Sequence, residues 1–168
     1  MKQFLAGLFM LLATSASSQT DLSKNIVETW NTHCEMNYYL LDSVAENNLK
    51  DTLCSGGRNV LQQFLHLNET RLLWIKQLAG IDIKNLQPAK NATRSEVSAA
   101  LHATDQLIRD FIEKNISVAI KGFGGNTVSF MGYLIAHEAH GRGQIVLAYK
   151  QSGHKLPPKI QYGIWKWD

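Results

Sequence analysis

Leu134-Ile135-Ala136-His137-Glu138-Ala139-His140-Gly141-Arg142-Gly143-Gln144-Ile145 sets two histidines three residues apart within a helical pattern. At that spacing both rings lean toward one side of the helix. Neutral imidazole is a common ligand for zinc and related ions, and a helix aims two of them together. A further histidine from another helix would complete a three-ligand site with an open position. His66, which interrupts an apolar sequence, is the candidate. A site of His66 and His137, with a third ligand from the last long helix, is therefore expected. His137 shares a stripe with Phe130, Leu134, Gly141, Ile145 and Ala148 that is otherwise apolar, which predicts that it faces the core or a pocket.

Four segments carry helical periodicity. The first runs from about Asp21 to Glu46, with Thr20 as its N-cap. The second runs from about Asn59 to Ala79 and stops at Gly80. Thr93-Arg94-Ser95-Glu96 reads as a capping box opening the third, whose stripe is Val97, Ala100, Leu101, Thr104, Leu107, Ile108 and Phe111. Gly122-Phe123-Gly124-Gly125-Asn126 breaks the pattern, and the fourth helix runs from about Thr127 to Gln151. The tail, with Pro157-Pro158 and then Ile160, Tyr162, Ile164, Trp165 and Trp167, reads as irregular and packed back onto the helices. No strand or internal repeat is evident. The fold expected is an all-α four-helix bundle with an aromatic C-terminal tail on it.

Residues 1–18 have the marks of a signal peptide, leaving residues 19–168 as one domain. Lys2 supplies the positive start, Phe4–Ala13 an apolar run too short to span a bilayer, and Ala16 and Ser18 the small residues before a cut at Gln19. An exported protein, periplasmic or secreted and free of the membrane after cleavage, is expected. Export leaves Cys34 and Cys54 open to a disulfide, while two free thiols suit their positions equally. The net charge of +3 is too mild, and the basic residues too scattered, for a nucleic-acid partner.

Other chemistries are excluded by spacing. His137-Glu138-Ala139-His140 is one residue short of the zinc-protease pattern, no serine elbow is present, and the Gly122 cluster follows a helix rather than a strand. His33 reads as a packing residue or pocket wall, His102 as exposed, and His154 as a capping or solvated group.

Gln63-Phe64-Leu65-His66-Leu67-Asn68-Glu69-Thr70-Arg71-Leu72-Leu73-Trp74 and His137-Glu138-Ala139-His140-Gly141-Arg142-Gly143-Gln144-Ile145 resemble the second- and fourth-helix signatures of the DinB/YfiT-like superfamily. Trp30-Asn31-Thr32-His33, Leu147–Lys155 and Tyr162–Trp167 match as well. The resemblance implies a four-helix bundle, often dimeric, holding a divalent metal on three histidines. Matched residue by residue, His66 and His137 take two of the places. The third falls on Gly141, which has no side chain to offer, and His140 is the neighbour just before it. His140 swinging in, water or a carboxylate such as Glu69 filling the vacancy, or an empty polar pocket are the three outcomes open at this stage.

The resemblance implies a metal-dependent transferase or hydrolase, with zinc or nickel activating a thiol or water for a small-molecule substrate. The alternative is a non-catalytic exported bundle, ligand-binding or structural, that has lost the metal site. A homodimer is compatible with both.

Overall fold

The computed structural model describes the backbone of residues 2–162 and the side chains of residues 22–161. Four long helices appear among these residues: α1 (Lys2–Asp42), α2 (Val60–Ala79), α3 (Arg94–Asn115) and α4 (Thr127–Gln151). A short α5 (Pro158–Tyr162) follows. α1 and α2 each border both α3 and α4, which fixes the packing order that the chain alone leaves open. None of the helices among the described residues is long and apolar enough to cross a membrane.

The helix starts follow their local chemistry. Asn59 caps α2 and Thr93 caps α3, each in a reciprocal box with Gln62 and Glu96 three residues on. The Asn126 side chain accepts from the backbone N–H groups of Val128 and Ser129 at the head of α4. Gly80 ends α2 in the left-handed conformation, with φ 68°.

Three expectations need correction. Thr20 is inside α1 and does not cap it; no Gly or Pro lies between Gly7 and Asp42 to break the helix there. α1 also ends at Asp42 rather than Glu46, because Ala45 is extended ahead of a short 3-10 turn, Glu46–Asn48. The tail is not wholly irregular, since Pro158 opens α5. Its Leu156 and Ile160 are buried in the core. Ile164, Trp165 and Trp167, and the side chain of Tyr162, lie outside the described residues. Cys34 is buried and Cys54 exposed, and both are free.

The core is split into two apolar layers. One gathers Leu40, Leu41, Phe64, Leu67, Leu101 and Ile145; the other gathers Trp30, Ile75, Ile108, Phe111, Phe130 and Leu134. Between them every long helix contributes buried polar groups: His33 and Asn37 from α1, Arg71 from α2, Thr104 and Asp105 from α3, Glu138 and Arg142 from α4.

At Gly141 α4 lies close against the Leu67 side chain of α2. A Cβ placed there would stand 2.6 Å from Leu67 Cδ2, far inside van der Waals contact. Leu67 is fully buried, so it has little room to yield. Helix propensity alone favours alanine over glycine by about 1 kcal/mol, yet overpacking of this kind costs about 1–3 kcal/mol. Gly141→Ala is therefore expected to lower stability in urea unfolding. Paired with Leu67→Ala it should cost less than the sum of the two single changes, the signature of a shared contact.

Candidate functional site

Glu138 sits at the centre of the polar layer with no exposed surface. Arg71 grips it with two hydrogen bonds, Nε to Oε1 at 2.7 Å and Nη2 to Oε2 at 2.8 Å. The same Oε2 accepts from Asn37 Nδ2 at 2.6 Å and lies 2.8 Å from His33 Nε2. Arg142 Nη1 donates to Asn37 Oδ1 at 2.8 Å. Arg71 also donates to the Leu101 carbonyl at 3.2 Å, and its guanidinium lies 5.1 Å from the Trp30 ring centre. Beside it, Asp105 accepts from Trp30 Nε1 at 2.8 Å and from the Tyr38 hydroxyl at 2.9 Å. All four long helices thus meet in one hydrogen-bonded layer.

The charges in the layer tune one another. Burial alone would push the Glu138 carboxyl up, but the Arg71 guanidinium and the hydrogen bonds from His33 and Arg71 outweigh it and hold the group well below the carboxylate range. Burial keeps the His33 pKa below the ordinary value, against the pull of Glu138. His33 is therefore neutral, donates from Nε2, and leaves Nδ1 without a partner among the described residues. Burial also pushes the Cys34 thiol up, so it is not a reactive thiolate.

The sequence-derived histidines lie on the α2–α4 face, outside this layer. His66 and His137 do meet: their ring centres are 5.2 Å apart, edge to face. His66 Nδ1 is 3.3 Å from Glu69 Oε2, and His137 Nε2 is 3.1 Å from the Thr70 hydroxyl. His140 is exposed, and its Nε2 accepts from the Gln144 amide at 2.7 Å. Gln144 is bonded in turn to Gln63. Burial lowers the His137 pKa, reinforced by the nearby His66, His140 and Arg58.

The third ligand place is filled by another residue's side chain. Leu67 occupies the space in which a side chain at 141 would begin. Among the described residues, no group of three His, Cys, Asp or Glu side chains is arranged to share an ion. The donors present therefore do not fit a tightly held three-histidine metal.

The expectation that His137 lies on the core stripe shifts by one residue. Phe130, Leu134, Gly141, Ile145 and Ala148 are buried as expected, but Glu138 takes the position among them and His137 is only half-buried. Both positions are three or four residues from Leu134 and from Gly141. His33 proves to be part of the buried layer, and Arg71, Asn37 and Arg142 went unrecognised as a unit. The legible signal was Arg71 on the apolar stripe of α2, four residues after Leu67 and four before Ile75. His102 is exposed, as expected, and stacks on Tyr38 with ring centres 3.9 Å apart. His154 Nε2 stands 3.1 Å from an Asp51 carboxylate oxygen.

A model of the DinB family matches residues 16–167. The chain belongs to the DinB family. A comparison with curated proteins finds no match. The buried layer of this DinB-family bundle uses residues inside both quoted signatures, Arg71 in the first and Glu138 with Arg142 in the second.

Breaking the central pair should be costly. Arg71→Met leaves a buried, uncompensated carboxylate and is expected to lose about 3–5 kcal/mol in denaturant unfolding. Acid should weaken the fold in two stages. Below the ordinary histidine value of 6.5 the unfolded chain protonates His33 while the folded one resists, so stability falls with pH. The folded Glu138 value is depressed, so its contribution is complete above the unfolded value of 4.5 and is lost as pH falls from there through the folded value. His33→Gln should shrink the first stage of a pH–stability curve, to which the half-buried His137 also contributes, and leave the second in place.

Proposed function

We propose that this chain is a non-catalytic, small-molecule-binding DinB-family bundle whose inherited metal centre is reduced to the His66–His137 pair. The observation that carries this reading is Leu67 seated where a third ligand at position 141 would start. Two imidazoles hold a divalent ion far more weakly than three, because each lost donor must be replaced by water. The Thr70 hydroxyl already engages His137, and Glu69 already engages His66. The polar layer below is closed and fully buried, which suits a device for holding the helices in register rather than one for turning over substrate.

The 5.2 Å separation of the two rings supports a second reading, a labile ion completed by an incoming ligand. Metal analysis separates the two. Wild-type protein purified without chelator is expected to carry zinc or nickel well below one ion per chain. Leu67→Ala with Gly141→His, which removes the obstruction and restores the third donor, should raise the content toward one per chain. Stoichiometric metal in the wild type that disappears in His137→Ala would overturn the reading.

A further inference from the structure

An open groove of about 750 Å³ runs beside the head of α2. Its walls come from three places: Gly57 and Arg58 in the loop before α2, Leu65, His66 and Glu69 on α2, and Gln87–Lys90 in the connection to α3. The size suits a small organic ligand. Positive φ at Gly56 and Gly57, 83° and 103°, turns the loop just before Arg58, a backbone that other residues adopt with strain.

The polar groups along this groove divide cleanly. Gln62 is used in the α2 capping box, and Gln87 is used by the Leu65 carbonyl and Asn68. Glu69 faces His66. Arg58 and Lys90 have no hydrogen-bond or ion-pair partner among the described residues. They reach the groove from two stretches of chain, Arg58 from the loop before α2 and Lys90 from the connection after it, which folds back against Leu65 near the head of the helix. Leu65, Pro88 and Ala89 supply an apolar wall between them.

Resting on the binding-bundle reading above, we propose that this groove holds a small organic carboxylate, its anionic head between Arg58 and Lys90 and its apolar part against Leu65, Pro88 and Ala89. Arg offers a planar fork matched to a carboxylate, and Lys adds a mobile point charge. The one carboxylate in the groove is turned to His66, so it opposes the ligand less than a free one would.

Octanoate is the probe, with octylammonium and 1-octanol as matched controls, followed by amide NMR on the full chain in chelator and again with zinc. Octanoate should bind saturably with shifts confined to the groove residues, equally with and without zinc. Both controls should bind at least about tenfold more weakly, as should octanoate to Arg58→Gln/Lys90→Gln, since a charge-assisted hydrogen bond is worth about one decade or more. Absent octanoate saturation, equal binding of 1-octanol, or unchanged affinity in the double variant each overturns the proposal. Metal content of the same samples is read separately. Stoichiometric ion in the wild type would sink the binding-bundle reading while leaving the groove result to stand or fall on Arg58 and Lys90.

Discussion

The Arg71–Glu138 pair is the constraint on which the rest of this bundle depends. Two opposite charges with no exposed surface cannot be left unpaired, and here they are joined by two hydrogen bonds at the midpoint of the core. The remaining lone pairs and donors are met by His33, Asn37 and the Leu101 carbonyl. That requirement ties α2 to α4, and through its partners to α1 and α3. A sliding or rotation of one helix would strand a charge, whereas an apolar core of similar volume would tolerate several registers. Desolvation offsets much of the attraction in such a pair, so its net contribution to stability is far smaller than the cost of breaking it.

The same constraint shapes the α4 surface. With Glu138 pointing inward, His137 is turned to the flank, where it meets His66 instead of the core. The close approach of α2 at Gly141 then brings Leu67 across the space beside the histidine pair. The two imidazoles are adjacent, and the space beside Gly141 belongs to the apolar packing. The pair, the Thr70 hydroxyl and the Gln63–Gln144–His140 chain form a polar seam along α2 and α4.

Much of the architecture was legible because it rests on short-range rules. The helix start at Asn59, the capping box at Thr93, the Gly80 stop, and the glycine cluster ahead of Asn126 all act within a few residues. The shift at α1 came from the opposite circumstance: a helix with no breaker continues past a plausible cap. The polar layer was harder to read, because hydrophobicity places glutamate and arginine outside a bundle. His137 and Glu138 fit the same three-four spacing, and only a partner on another helix decides between them.

By itself the sequence determined the four long helices, the bounds of α2 and α4, the start of α3, and the pairing of His66 with His137, because periodicity and caps are local and the DinB-family pattern is carried by contiguous motifs. The tertiary structure decided which residue of α4 faces inward and what fills the place at 141. Those outcomes depend on Arg71 and Leu67, which reach α4 across the bundle from a helix some seventy residues earlier in the chain.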